Sequence, residues 1–326
     1  MAGMTKALLT GGTGFIGSHL AEALSAAGIE VYALVRDPAR IKFLSGINVH
    51  LMVGDLASVP DLPPDLDWVF HLAGLTKALK KEDYYNVNQK GTASLFEALA
   101  SQRQRPKIIH VSSLAAAGPS DKAAGRTEDE PPAPVSPYGR SKLAGEGEAL
   151  ARKERFPLIV IRVGAVFGPR DQDFLKFFGT VARGLLPAFG RRPQPMCVCY
   201  VRDLVEALLL AARMELPSGT ILNIGNAAPS DFTEIGRLSA GLLGRRVRRV
   251  VIPLPAMGAI ARLSDVWSRV SGKPTPINRH KYRELRQPGW TADVSKARAL
   301  LGFEAKTSLE QAIRETLDWY RAQGLI

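Results

Sequence analysis

Residues 10–17 read Thr-Gly-Gly-Thr-Gly-Phe-Ile-Gly, and few chain geometries put three glycines at this spacing to use. Lys6-Ala-Leu-Leu-Thr10 before them is a short apolar strand pattern. Phe15 to Ala27 after them carries apolar residues at helical spacing, with Gly28 offering a C-cap. The spacing therefore predicts a tight strand-to-helix turn. There Gly11 permits the turn, Gly14 lets a pyrophosphate approach the backbone, and Gly17 lets helix pack on strand. The free N–H groups at the helix start, around Phe15 and Ile16, form a phosphate cradle. A dinucleotide is the expected ligand, although a glycine-rich loop alone requires none.

Further strand patterns follow at Glu30–Val35, 49–53, 67–74 and 107–112. Strand and helix patterns alternate through the first half, which predicts an α/β fold with a doubly wound parallel sheet of the Rossmann type. Position 35, where an NAD-type site carries an acid for the adenosine ribose, is Val, and Arg36 follows. A guanidinium pairs well with a 2′-phosphate, so NADP(H) is favoured. If Arg36 instead stacks on adenine and Asp37 takes the ribose, NAD(H) binds. Asp55-Leu56 suits the adenine edge, or is a turn plus a core residue. Leu72-Ala73-Gly74 leaves room for a cofactor, and His71 before it reads as a packing residue.

The Thr10–Gly17 turn, His71-Leu-Ala-Gly74, Asn88 with Gly91-Thr92, Ser112-Ser113, Tyr138-Gly-Arg-Ser-Lys142 and Arg162 to Pro169 together resemble the extended short-chain dehydrogenase/reductase family, also called the NAD-dependent epimerase/dehydratase family. The resemblance covers essentially the whole chain. It implies catalysis by Ser113, Tyr138 and Lys142, with Asn88 supporting a proton relay behind Lys142 and Val163 beside the cofactor. It also implies two regions: a dinucleotide-binding domain of 1–168 plus 196–225, and a smaller discontinuous α/β substrate lobe of 169–195 plus 226–326. In the first, a strand at 196–201 and a helix at 203–213 precede a strand at 220–224. Many family members dimerise through a bundle that includes the Tyr138 helix, so a homodimer is expected.

The chemistry follows from the residue types. Tyr138 to Arg155 reads as a helix, with Tyr138 and Lys142 one turn apart on one face. A tyrosine pKa near ~10 must fall to about 7 for base catalysis at neutral pH, a change of roughly 4 kcal/mol. An ammonium ~4 Å away at an effective dielectric near 20 supplies about that much. Lys142 can also hold the nicotinamide ribose. Ser113, at the end of its strand, can orient a carbonyl or alcohol for proton transfer.

Departures from the family narrow the reaction. Relatives that dehydrate sugars place Asp-Glu directly after the catalytic hydroxyl residue, and sugar-nucleotide decarboxylases place Glu there. Here Ser113 precedes Leu114-Ala-Ala-Ala117, which disfavours elimination. The segment looks more like the steroid-dehydrogenase and flavonoid-reductase branches, which have bulky apolar substrates. Many UDP-sugar enzymes carry an Arg-Asp pair where this chain has Met196-Cys197, and methionine offers a diphosphate no charge. Substrate-side candidates are Thr76, Ser113, Phe174, Phe178 and Met196, with Leu186 a neighbour; the phenylalanines serve equally as helix packing. Arg286 and its basic neighbours from 279 onward could hold a phosphate from another side. The expected activity is hydride transfer on an alcohol/carbonyl pair. A nucleotide-sugar epimerase and a non-catalytic dinucleotide sensor are the alternatives.

A hydrophobic content of 46% fits a globular chain. No apolar run approaches the ~20 residues of a membrane span, and no signal-peptide pattern opens the chain, so a cytoplasmic protein is expected. Cys197 and Cys199 read as core residues; two cysteines make no structural zinc site, and no metal is expected. The net charge of +12 comes with clusters at Arg245, Arg246, Arg248 and Arg249 and at Arg279, Lys281, Arg283 and Arg286. No nucleic-acid motif accompanies them, and a small-molecule substrate is the expected partner. The moderately amphipathic segment 255–270, with Arg262 and Arg269, reads as packing within the substrate lobe, with weak membrane-surface contact the other reading. The Pro/Gly-rich stretch 119–137 is expected to be a mobile loop near the substrate mouth.

Overall fold

The computed structural model describes residues 4–190, 192–271, 275 and 278–326; the Arg269 side chain lies outside what is described. Its strands are β1 Lys6–Thr10, β2 Glu30–Val35, β3 His50–Val53, β4 Trp68–His71, β5 Lys107–Ser113, β6 Leu158–Val163, β7 Ala165–Phe167, β8 Leu185–Phe189, β9 Val198–Tyr200, β10 Thr220–Ile224 and β11 Arg248–Ile252. Seven of them form one parallel sheet in the order β10-β6-β5-β4-β1-β2-β3. Chain order reverses between β1 and β4. In open α/β sheets, ligands bind at that crevice, beyond the carboxyl ends of the strands.

Such a sheet is buried on both faces, so its strands run nearly unbroken in apolar residues. Leu8, Leu9, Ile108, Ile109, Ile159, Val160 and Ile161 are fully buried. One face packs against the Phe15–Ala26, Val201–Arg213 and Ser295–Leu301 helices, the other against Gly91–Leu99 and Pro137–Leu150. At roughly 1.5–3 kcal/mol per large apolar side chain, this burial is the main term offsetting chain entropy. A separate core gathers Phe167, Phe178, Leu186, Tyr200, Ile313, Leu317 and Tyr320.

Several expectations need correction. The helix expected to reach Arg155 ends at Leu150, where bonds of Arg152, Lys153 and Arg155 to the residue three before tighten the chain into turns; the buried Phe156 and Pro157 then lead into β6. The strand expected at 196–201 is β9 alone. It pairs with β7 in a two-stranded ladder outside the main sheet, and the following helix starts at Val201. The stretch 119–137 is tied down: Ser120 N donates to Gly289 O (3.1 Å), Arg126 N to Thr291 O (3.1 Å) and Ala133 N to Ala117 O (2.8 Å). Glu128 accepts from Asn223 N at 2.7 Å. The segment expected to pack inside the substrate lobe is the Leu254–Ser271 helix; Met257 is buried, but most of its large apolar residues face outward, with Leu263 72% and Val270 79% exposed.

Candidate active site

The glycine turn has the geometry its spacing predicts. Gly11 sits at φ +77°, and a Cβ there would lie 2.7 Å from Ala73 N; one at Gly17 would lie 2.2 Å from Gly11 O. The turn is thus pressed against the end of β4, and the helix against the turn. The 12-residue Phe15–Ala26 helix begins with no side-chain cap and no acidic residue in its first turn. Its N-terminal N–H groups and positive dipole end are left for an anion, so the residues present fit a dinucleotide pyrophosphate.

The catalytic candidates come from three neighbouring elements. Ser136 caps the Pro137–Leu150 helix, accepting from Gly139 N at 3.0 Å, and Pro137 occupies its first turn, which fixes the start of the helix just before Tyr138. A Cβ at Gly139 would lie 2.2 Å from Ala115 O, so only glycine lets this helix approach the 114–117 turn so closely. Ser113 starts that turn, its hydroxyl oxygen accepting from Ala115 N at 3.1 Å. The serine proton is left to donate, and Ser113 acts on the Tyr138 phenol as a hydrogen-bond partner that draws its pKa down. Burial works harder in the other direction and pushes Tyr138 up to about 12. Glu284 and Tyr84 add to the rise, and the Tyr84 ring lies 6.2 Å from that of Tyr138.

The lowered tyrosine pKa expected from Lys142 is therefore not what this structure has. Lys142 is buried and its ammonium donates to Val111 O at 2.8 Å. Burial brings Lys142 down to about 8, opposed by the carboxylate of Glu146. Lys142 Nζ lies 3.6 Å and Asn88 Oδ1 3.3 Å from the point where a Gly74 Cβ would stand, so Gly74 keeps the floor between them open. Asn88 sits in a π-helical turn, Asn86–Lys90, a distortion often found at functional sites. It brackets the Leu75 backbone, accepting from N (2.7 Å) and donating to O (3.1 Å), and donates to Ser141 Oγ at 2.8 Å.

Of the other cofactor-side candidates, Arg36 is exposed at the end of β2 with no side-chain partner among the described residues. Asp37 is engaged locally, with Ala39 N (2.9 Å) and Arg40 (3.2 Å). Asp55 accepts from Ala57 N and Ser58 N in its own turn, and Leu56 is buried. Leu72, Ala73 and Gly74 follow β4, and Val163 is buried at the end of β6 beside Ser113. On the substrate side, Thr76 is exposed and Phe174 half-buried. Phe178, at 0% exposure, packs wholly inside the second core against Tyr320, out of reach of any substrate. Met196 is buried, bridged to Ser230 and Trp290. Arg286 lies over the Tyr282 ring (5.6 Å). Cys197 and Cys199 are buried and free, and burial pushes the Cys197 thiol up to about 12. Among the described residues no group of His, Cys, Asp and Glu has the arrangement of a metal site.

A supporting layer escaped the sequence reading. Arg162 and Glu146 form a buried ion pair (2.7 Å), and Ser112 Oγ donates to the same carboxylate at 2.5 Å. Glu146 follows Tyr138 and Lys142 at i+8 and i+4, so all three share one helical face; that periodicity was its available signal. His71, which burial holds down at about 3 and hence neutral, joins Thr10 Oγ1 (2.7 Å) to Thr92 Oγ1 (3.0 Å) and fastens β4 to its neighbours.

A strand-turn-helix anion cradle beside a Ser–Tyr–Lys cluster, at the switch point of a parallel sheet, defines a dinucleotide-dependent enzyme. The model of the NAD dependent epimerase/dehydratase family matches residues 7–225, and the chain belongs to that family. It is 31% identical over 320 residues to a ceramide reductase of Caulobacter vibrioides, covering 97% of this chain and 94% of that one. It is 28% identical over 336 residues to sterol demethylase protein B of Methylococcus capsulatus, covering 98% and 99%. Among solved structures, MoeE5 in complex with UDP-glucuronic acid and NAD superposes with a TM-score of 0.79 at 28% identity, covering 98% and 99%. The chain is thus an NAD(P)-dependent reductase or epimerase.

Proposed function

We propose that this protein is a reductase/dehydrogenase acting on a carbonyl/alcohol pair of a partly apolar substrate, with Tyr138 as the acid/base. The observation that carries this is the meeting of Ser113, Tyr138 and Lys142 beside the Gly11–Gly17 turn. The bound dinucleotide supplies or accepts the hydride. The chain's own residues do the rest. In the reducing direction Ser113 orients the carbonyl oxygen, and Tyr138 donates its proton to that oxygen as it becomes an alcohol. A phenol pushed up to about 12 is fully protonated at neutral pH, which suits donation. Lys142 holds ribose hydroxyls and places its charge where the phenolate forms, and Asn88 fixes the chain at Leu75 beside it.

The uncharged Met196 is in keeping with an apolar substrate, since the resemblance places an arginine at this position in many UDP-sugar enzymes; its side chain packs in the second core. The names of the ceramide reductase and sterol demethylase relatives are in keeping with it. The ligand of the MoeE5 structure favours the epimerase as second reading. Titration calorimetry with UDP-glucose and UDP-galactose in the presence of cofactor separates the two: no binding is expected, and micromolar binding of either overturns the substrate assignment. We assign NADP(H) as the preferred cofactor because Arg36, at the end of β2, has no side-chain partner among the described residues, whereas Asp37 is engaged. Tighter binding of NADPH than of NADH is expected, and the reverse contradicts it. The dinucleotide domain is taken as 1–168 plus 196–225, the substrate lobe as the remainder. The working form is taken as a homodimer in the cytoplasm.

A further inference from the structure

The Leu254–Ser271 helix is amphipathic in the reverse of the usual sense. Its inward face carries one large apolar side chain, Met257, beside small or polar residues: Met257 and Ala261 are fully buried, Ser268 is nearly so, and Asp265 pairs with Arg279 at 3.1 Å. Its outward residues are Ile260 (41% exposed), Leu263 (72%), Val266 (56%), Trp267 (66%) and Val270 (79%). At 1.5 Å per residue these form an apolar stripe about 15 Å long on the C-terminal half of the helix, with Trp267 within it and no partner among the described residues. A contiguous patch of this kind on a globular protein marks an interaction surface.

Charge around the stripe says what covers it. Arg262 is exposed on the same helix. Arg245, Arg246, Arg248 and Arg249 are exposed just upstream, in and before β11, which runs directly into the helix. Arg279, Lys281, Arg283 and Arg286 are exposed on the short Arg279–Leu285 helix and its end, packed beside it. Apolar residues with an aromatic anchor, flanked by arginine and lysine, suit the interface of an anionic lipid bilayer, where rings and aliphatic side chains sit among acyl chains and cations meet headgroup phosphates. No helix among the described residues is long and apolar enough to cross a membrane, so contact with a bilayer would place this helix in the interface plane. The excess charge of +12 fits the same partner.

We infer that the Leu254–Ser271 helix docks the enzyme on an anionic membrane surface. It is coupled in space to the candidate active site: a Cβ at Gly258 would lie 3.0 Å from Tyr282, and Glu284, two residues on, acts electrostatically on Tyr138 and Tyr84. Resting on the proposed reductase activity, the docking delivers a lipid-class carbonyl compound from the bilayer.

Flotation of the full chain with phosphatidylcholine vesicles containing one-third phosphatidylglycerol, against pure phosphatidylcholine, tests it. The protein is expected to float with the anionic vesicles and be released by high salt. In a Leu263→Glu, Trp267→Glu double variant the bound fraction should fall at least about tenfold. The variant should keep its mass by light scattering and its turnover of a water-soluble ketone, since neither residue lies at the site. Failure of the wild type to float, or equal flotation of the variant, overturns the docking. A change of oligomeric mass in the variant without vesicles also overturns it, giving the stripe to a second copy of the chain. Flotation as expected without turnover of any ketone by either protein upholds the docking and sinks the reductase reading.

Discussion

The Pro137–Leu150 helix and the Leu254–Ser271 helix treat charge and apolar surface in opposite ways. The first carries Lys142 and Glu146 into the interior and meets them with Val111 O, Ser112 and Arg162. The second turns its salt-bridged Asp265 inward and leaves leucine, valine and tryptophan outside. Burying charge is expensive and is tolerated where partners meet it, here with Arg162 Nη1 left without one among the described residues, so the first helix is built for chemistry. Leaving apolar surface in water is also unfavourable, so the second is built for a surface it has yet to meet.

The sharpest way to break this contrast is to unpair the first helix. Glu146→Ala leaves Arg162 charged and buried, and loss of one partner of such a pair costs about 3–5 kcal/mol. Urea unfolding should show that loss, whereas the Leu263→Glu, Trp267→Glu variant should stay within about 0.5 kcal/mol of wild type. Equal stabilities for the two variants would erase the distinction. Next is Phe178→Ala, which opens a cavity in the second core at about 3–5 kcal/mol; a markedly smaller loss in the same assay would mean that the ring faces a substrate channel after all. A smaller effect comes from Lys142. Its folded pKa, about 8, lies below its ordinary value of 10.5, so between those values the unfolded chain binds more protons than the folded one. Stability should therefore rise with pH through that window, and less so in Lys142→Met. Identical pH profiles for the two proteins would place Lys142 in water.

The comparison also shows what a sequence conveys. The glycine turn, β1, β2, β5 and the start of the catalytic helix near Tyr138 were legible because short-range constraints decide them: a positive φ at Gly11, an apolar run, a change of period. The partnership of Glu146 with Arg162 was not, since charged residues usually face solvent and the two are joined only by tertiary packing. Periodicity at 255–270 reveals an apolar face but not whether the fold supplies a neighbour for it. The placement of β9 was missed for a similar reason: three residues pair with whichever edge the fold presents, here β7. The direction of the Tyr138 shift was missed because helical spacing brings Lys142 near without revealing that the fold buries the phenol, and that burial raises its pKa.

The central claim is proton transfer by Tyr138 during net hydride transfer. Reduced cofactor and a long-chain ketone are mixed with wild type and with Tyr138→Phe, and cofactor absorbance is followed with product analysis. Wild type should oxidise the cofactor stoichiometrically with alcohol formed. The variant should bind dinucleotide with nearly unchanged affinity and turn over roughly 10²- to 10⁴-fold more slowly. Near-normal turnover by a folded Tyr138→Phe protein would contradict the account, as would interconversion of UDP-glucose and UDP-galactose by wild type with no net change in cofactor absorbance.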